Sequence, residues 1–209
     1  MSDIKIGKIT LGMYGTNCYF VYKDGSDEAV VIDPADSGDY IFKGLSDKGF
    51  KVKAILLTHG HFDHIYGVDK LRRAAECDVY AFEAEKELLG NSHINCSDSV
   101  GRPAVVEADK WLRDGDELNI AGITFKAILT PGHTAGSGCF YIEEAGFLIA
   151  GDTLFEGSVG RTDLPTGKSR DLIDSVREKL FVLPDDTRVY PGHGGSTTIG
   201  FEKENNPFF

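Results

Sequence analysis

Three imidazoles and a carboxylate fall within six consecutive residues of this sequence, in the segment 59–64 (His-Gly-His-Phe-Asp-His). The segment follows an apolar stretch whose pattern predicts a buried strand. In an extended chain the side chains at positions i and i+2 point the same way, so His59 and His61 are placed to bind one metal ion. Asp63 and His64, at the start of a following helix, face a second ion. The spacing therefore predicts a centre with two metal ions.

Three later turns carry further metal-binding side chains, each at a point where Gly or Pro ends an apolar strand. These side chains are His133, Asp152 and His193. We predict three ligands for each ion: His59, His61 and His133 for the first, and Asp63, His64 and His193 for the second. Asp152 is predicted to bridge the two ions, because a carboxylate has two oxygens to share. Imidazole and carboxylate ligands without a thiolate suit divalent zinc first, with iron or manganese as alternatives.

In the first half of the chain, the elements that must position these turns alternate between strands and helices. The periodicity predicts strands and helices in turn: strands over 17–22, 29–33, 52–58 and 78–82, and helices over 38–48, 68–75 and 83–89. Residues 90–110 have little periodicity and predict a long surface loop.

The second half is richer in hairpin patterns. Strands are predicted over 123–130, 138–143, 147–150 and 187–190. Ser169 is predicted to cap a helix in which Leu172, Val176 and Leu180 fall four residues apart. Because strands in both halves end in His- or Asp-bearing turns, we expect two sheets that meet edge to edge with the ligands at one rim. No linker or repeat divides the chain, so residues 1–209 are treated as one domain.

Charge and composition restrict the partners. The sequence has 22 basic and 33 acidic residues and a net charge of -11, the wrong sign for a phosphate backbone or an anionic membrane. No apolar run reaches the roughly 20 residues needed to cross a bilayer. The first residues lack a secretory signal pattern, so a cytoplasmic location is expected. The four cysteines lie far apart without a C-x-x-C pair, which predicts reduced thiols.

The motif H-x-H-x-D-H at 59–64, with the later His133, Asp152 and His193, resembles the metallo-β-lactamase superfamily. Segments 151–155, 160–165 and 191–194 resemble its hydroxyacylglutathione hydrolase-like branch. The resemblance implies an α/β fold, a four-layer αββα sandwich with the site at one edge of the two sheets. Only 16 residues follow His193, so a short form without the C-terminal helical domain of full-length hydroxyacylglutathione hydrolases is expected.

The expected activity is hydrolysis of a small thioester by a metal-bridging hydroxide, as in hydroxyacylglutathione hydrolase. Two ions that share a water lower its pKa toward neutrality. The conjugate thiol of a thiolate leaving group has a pKa of about 8.5, so the thiolate leaves without a strong acid. Asp63 is expected to orient this nucleophile and Asp152 to fix the metal separation. The alternatives are a lactone or other ester hydrolase on the same metals, and a mononuclear iron dioxygenase that acts on persulfides. RNA cleavage is disfavoured by the charge.

Three residues outside the ligand set have possible roles at the site. Arg161 is a candidate to hold a substrate carboxylate, with a structural salt bridge as the alternative. Tyr66 is a candidate donor to the substrate, with packing as the alternative. Asp33, which ends a strand, is a candidate to hold a ligand imidazole by its other nitrogen, or forms an Asx turn. His93, in the long loop, is expected to be exposed. The oligomeric state is left open.

Overall fold

The computed structural model describes residues 3–209, which form two six-stranded sheets and a small hairpin. The strands of the first sheet are β1 Ile4–Leu11, β2 Thr16–Lys23, β3 Glu28–Ile32, β4 Lys51–Leu56, β5 Asp78–Phe82 and β6 Lys110–Leu112. The second sheet contains β7 Glu117–Ile120, β8 Ile123–Leu129, β9 Gly138–Ile142, β10 Phe147–Gly151, β13 Arg188–Pro191 and β14 Thr197–Thr198. The hairpin pairs β11 Leu154–Phe155 with β12 Ser158–Val159.

The two sheets differ in how their strands are connected. The first has the order β1-β2-β3-β4-β5-β6, antiparallel from β1 to β3 and parallel from β3 to β6. The second has the order β14-β13-β10-β9-β8-β7, in which only β10 and β13 are parallel. Two neighbouring parallel strands must be joined by a crossover connection, which is usually a helix. A helix accordingly follows β3, another follows β4, and another precedes β13.

The helices cover the outer faces of the sheets. They are α1 Gly38–Ser46, α2 Phe62–Ile65, α3 Val68–Ala75, α4 Lys86–Leu89, α5 Ser169–Ser175 and α6 Ile199–Asn205. Ile41 of α1 and Leu71 of α3 pack on the outer face of the first sheet. Val176 and Leu180, in a π-helical continuation of α5, pack with Ile199 on the second. None of the helices in residues 3–209 has the length and apolar character needed to span a membrane.

The inner faces of the sheets form the central core. Val30 and Leu56 of the first sheet lie in one buried cluster with Phe125, Phe140 and Ile149 of the second. The sheets therefore pack face to face, and the expectation that they meet edge to edge was wrong. The His- and Asp-bearing turns share one rim because the strands of both sheets end at the same side of this sandwich. The αββα architecture is confirmed.

Two local expectations change in the structure. Ser169 is the first residue of α5 and does not cap it; Lys168 is the capping position, and no side chain caps the helix. The Ser169 hydroxyl instead contacts the Thr162 hydroxyl. Residues 90–109 contain no helix or strand, as predicted, but the Asn95 and Ser97 side chains within them are buried. Their hydrogen bonds to the carbonyl of Ala104 hold this long loop in place.

Candidate metal centre

The structure brings all seven predicted ligands together at one rim of the sandwich. Four loops carry them, and each follows a strand: β4 is followed by 59–64, β8 by His133, β10 by Asp152 and β13 by His193. A single bridge between Thr16 and His193 connects the two sheets at this rim. The backbone N–H of Asn17 also donates to the Gly192 carbonyl, at 2.7 Å. The rim is therefore built from both sheets.

The first predicted set converges on one point. His133 Nε2 lies 2.9 Å from His61 Nδ1 and 3.2 Å from His59 Nε2. All three side chains are buried. Three imidazole nitrogens that face one another at this distance, away from solvent, form a donor set suited to one divalent ion.

The second predicted set converges beside the first. Asp63 Oδ2 lies 3.3 Å from His193 Nε2 and 3.7 Å from His64 Nε2. Asp152 stands between the two sets: its Oδ1 is 3.4 Å from His64 Nε2, and its Oδ2 is 3.7 Å from His133 Nε2 and 3.5 Å from His193 Nε2. One carboxylate thus faces both sets, in the position predicted for a bridge.

Buried polar atoms without partners show that these donors fit metal ions. Within the described part of the chain, His64 Nε2 and Asp152 Oδ1 are buried and have no hydrogen-bond partner. A buried polar atom left unpaired costs about 1 to 3 kcal/mol, so such atoms are rare in stable proteins. Both atoms point into the second set, where a divalent ion would satisfy them.

The sequence profile of the metallo-β-lactamase superfamily matches residues 11–193. This chain belongs to that superfamily. Among its relatives is the protein named "Probable metallo-hydrolase YqgX" of Bacillus subtilis, 38% identical over 98% of this chain and 97% of the relative. Another is the hydroxyacylglutathione hydrolase GloC of Haemophilus influenzae, 33% identical over 96% of this chain and 95% of the relative.

Solved structures of the superfamily superpose closely on this chain. The B3 metallo-β-lactamase BLEG-1 has a TM-score of 0.93 and 39% identity over 98% of this chain and 99% of that one. TTHA1623, solved in a di-iron-bound form, has a TM-score of 0.86 and 34% identity over 97% and 100% of the two chains. ETHE1 from Myxococcus xanthus has a TM-score of 0.79 and 28% identity over 97% and 83%.

In this superfamily member three of the ligand imidazoles also form a hydrogen bond through their other ring nitrogen. His64 Nδ1 donates to Asp33 Oδ2 at 3.0 Å. His133 Nδ1 donates to the Arg161 carbonyl at 2.7 Å, and His193 Nδ1 to the Tyr14 carbonyl at 3.2 Å. Such bonds fix the ring orientation and leave the opposite nitrogen free for a metal.

Asp33 connects the two sets. Its Oδ2 also accepts a hydrogen bond from Thr58 Oγ1 at 2.6 Å, and its Oδ1 accepts one from the Thr58 backbone N–H at 2.8 Å. Thr58 Oγ1 in turn lies 3.1 Å from His59 Nδ1, in position to accept a hydrogen bond from its N–H. Asp33 therefore contacts His64 directly and His59 through one hydroxyl, which corresponds to one of the two roles that the sequence left open for it, a partner of a ligand imidazole.

The two sets have opposite electrostatic character. Burial, reinforced by the neighbouring imidazole of His133, lowers the pKa of His61 to about 3. Burial and the surrounding imidazoles likewise hold the pKa of His59 well below its usual range. Burial also acts on His64, but the carboxylates of Asp63 and Asp152 outweigh it and raise the pKa of His64 well above the usual range. The first set is thus neutral, and the second favours positive charge.

Glu85 is a buried carboxylate at this rim that the sequence did not reveal. Its Oε2 accepts a hydrogen bond from the Gly60 N–H at 2.7 Å. Its Oε1 accepts bonds from Thr134 Oγ1 and from the Gly136 N–H, both at 2.8 Å. Glu85 therefore ties the loop of His59 and His61 to the loop of His133. It lies in the charged run 83–87, whose pattern resembles a solvated helix face, so no sequence signal distinguished it.

Replacing Glu85 by alanine is expected to lower the free energy of unfolding by about 3 kcal/mol, because buried donors in two loops lose their acceptor. Glu85→Gln keeps one acceptor oxygen and should lose less. Urea unfolding of the metal-free protein measures both changes. The control is Glu87→Ala, an exposed glutamate two residues away. Equal stability of the Glu85→Ala and Glu87→Ala variants would show that the buried carboxylate does not hold the loops.

The remaining predicted site residues lie around the centre. Tyr66 already has a partner, since its hydroxyl donates to the Arg102 carbonyl at 2.9 Å. Arg161 forms a two-point ion pair with Asp163 at 2.7 and 2.8 Å, and both side chains are exposed. The salt bridge is therefore local to this loop and does not reach the core. His93 is exposed, as expected, and lies 3.2 Å from Asp98.

Proposed function

We propose that the protein is a metal-dependent hydrolase of small thioesters that uses two divalent ions. The observation that carries this proposal is the position of Asp152 between two converging donor sets. The proposed ligands are those predicted from the sequence: His59, His61 and His133 for one ion, Asp63, His64 and His193 for the other, and Asp152 for both. Zinc is the first candidate, and iron is supported by the di-iron form of TTHA1623.

When bound, the two ions would acidify a shared water and withdraw charge from the substrate carbonyl. The residues of the chain would orient the attacking group and fix the spacing of the ions. Thr16 Oγ1 donates to Asp63 Oδ2 at 2.9 Å, which holds the Asp63 carboxylate in place to orient the attacking group. Asp152 fixes the spacing of the two sets. Asp63 and Asp152 are therefore the proposed catalytic carboxylates.

The site favours a leaving group that needs no proton. Within the described residues, every histidine at the rim belongs to one of the two donor sets, so none is left as a general acid. A thiolate, whose conjugate thiol has a pKa of about 8.5, leaves readily at neutral pH, whereas an alkoxide does not. This supports a thioester over an ordinary ester. The hydroxyacylglutathione hydrolase relative GloC points the same way.

Arg161 is the proposed anchor for a carboxylate on the thiol part of the substrate. Its carbonyl binds His133 of the first set, so its side chain starts from the immediate border of the centre. The guanidinium is exposed and its partner Asp163 lies in the same loop, so a substrate carboxylate is able to replace that partner. Glutathione has carboxylates of this kind.

A substrate panel tests the proposal. The metal-loaded protein is offered S-lactoylglutathione, a glutathione-free thioester, a lactone and a β-lactam, the last because BLEG-1 is a B3 metallo-β-lactamase. Oxygen uptake with glutathione persulfide tests the iron dioxygenase alternative. We expect the thioesters to be hydrolysed with the highest kcat/KM. Turnover of the lactone or β-lactam alone, or oxygen uptake without thioester hydrolysis, would overturn the proposal.

Metal retention is expected to depend on pH in a different way for each set. Protons compete with metal ions for imidazole nitrogens. His64 and His193, whose pKa values the nearby carboxylates raise against the effect of burial, bind protons first as the pH falls, whereas His61, with a pKa of about 3, stays neutral. As the pH falls below neutrality, one ion per chain should therefore be lost while the other remains. Elemental analysis after dialysis measures this. Simultaneous loss of both ions would contradict it.

A further inference from the structure

A cavity of about 330 Å³ opens beside the second donor set. Asp63 is one of its lining residues, and parts of its walls come from the turn after β1 and from the long loop 90–109. Met13 and Tyr14 contribute the first wall and Val100 part of the second. The cavity thus reaches a predicted metal ligand from solvent. Of the two candidate substrate-binding residues, Tyr66 lines the cavity and Arg161 does not.

The walls of this cavity are apolar and exposed. Met13 is 98% exposed, Tyr14 53% and Val100 41%. The rings of Tyr14 and Phe62 meet edge to face at 5.1 Å, and the ring of Phe62 lies 5.6 Å from that of Tyr66. Apolar side chains that remain exposed around a concave site mark a surface that a ligand covers.

The polar groups of the cavity are already paired with one another. Arg102 binds both carboxylate oxygens of Asp36, at 2.7 and 3.3 Å, and its guanidinium carbon lies 4.0 Å from the centroid of the Tyr66 ring. The Tyr66 hydroxyl donates to the Arg102 carbonyl. Arg102 is held both by Asp36, which is less exposed than Asp163, and by the ring of Tyr66, so the cavity offers a charged substituent less gain than Arg161 does. The carboxylates of Asp36 and Asp63 also oppose an anion there.

The cavity and Arg161 border different donor sets. The Arg161 carbonyl binds His133 of the first set, whereas the cavity is bounded by Asp63 of the second set. A thioester whose carbonyl lies between the sets therefore extends one part toward Arg161 and the other into the cavity. The polar thiol part suits the exposed arginine, and the apolar part suits the cavity.

We propose that this cavity binds an uncharged, apolar acyl chain of the thioester and so determines the acyl specificity of the enzyme. This inference rests on the proposed thioester hydrolysis. Lengthening the acyl chain by one methylene should raise kcat/KM about threefold until the cavity is filled, as expected for burial of a methylene group. The substrates for this measurement are acetyl, butyryl and hexanoyl thioesters of one thiol.

The variant Val100→Asp tests the assignment. An aspartate there places a charge in the apolar wall and should remove the preference for longer chains. The matched control is Val105→Asp, since Val105 is an exposed valine of the same loop that does not line the cavity. That variant should keep the wild-type preference. Equal chain-length dependence in both variants would overturn the proposal.

Binding of analogues that cannot be hydrolysed separates this inference from the proposed function. Ketone analogues, with a methylene between carbonyl and sulfur, are not hydrolysed, so the Kd of the metal-loaded protein for them reports the cavity without turnover. A Kd that falls about threefold per acyl methylene supports the cavity even if no thioester is cleaved. A Kd independent of chain length overturns it. Chain-length dependence that follows the thiol part instead of the acyl part also overturns it.

Discussion

The variant Asp152→Ala is expected to lower kcat/KM for thioester hydrolysis by at least about 10³-fold, the upper end of what one preorganised electrostatic contact supplies. The reason is geometric: Asp152 alone presents its two oxygens to both donor sets, at 3.4 to 3.7 Å from three ligand nitrogens. Removing it takes away the single negative charge that faces both metal positions and leaves their separation undefined. The metal content should fall below two ions per chain together with the activity.

Two controls make this result specific. Asp152→Asn keeps the shape of the side chain but removes its charge, so it should also lose metal and activity. Asp47→Ala removes an exposed carboxylate that pairs with Lys43 at the end of α1, and it should change neither. An Asp152→Ala protein that retained two ions and more than one tenth of the wild-type kcat/KM would contradict the bridging role.

Asp33→Ala is expected to weaken metal binding by about 10- to 100-fold, the range found when a partner of a metal-binding histidine is removed. Asp33 binds His64 Nδ1 directly and reaches His59 through Thr58 Oγ1, so its loss releases one imidazole in each donor set. Titration against a competing chelator measures the affinity. Because the ligands themselves remain, excess metal should restore activity in this variant but not in Asp152→Ala.

The conservative variant Asp33→Asn distinguishes the loss of hydrogen-bond acceptors that position the imidazoles from the loss of side-chain volume. Its amide NH₂ places a donor where the carboxylate accepts bonds from Thr58 or His64, so the network cannot be fully satisfied. We expect an affinity between those of wild type and Asp33→Ala. Wild-type affinity in both variants would show that Asp33 supports the backbone of Thr58 without holding the imidazoles.

The sequence was informative about the ligands because their signal is local. His59, His61, Asp63 and His64 lie on one short segment, and period-two geometry alone assigns the first two to a common side. His133, Asp152 and His193 each follow an apolar run ended by Gly or Pro, which places them at strand ends. The αββα architecture came from the family resemblance, which the superfamily match confirmed.

What the sequence did not reveal depends on contacts between distant segments. Nothing local indicates that Glu85 reaches Gly60 and Thr134, or that Arg102 pairs with Asp36 over the ring of Tyr66. The sheets were expected to meet edge to edge because rim residues show where strands end but not which faces pack. Ser169 was predicted to cap α5 from residue type alone, and the structure begins the helix at that serine instead.

The most direct test of the two-ion centre is the metal content of natively purified protein, measured together with hydrolysis of S-lactoylglutathione and a glutathione-free thioester. We predict about two divalent ions per chain, loss of thioester hydrolysis on chelation, and recovery as the second equivalent of metal is restored. A single ion per chain with no thioester hydrolysis would contradict the dinuclear mechanism.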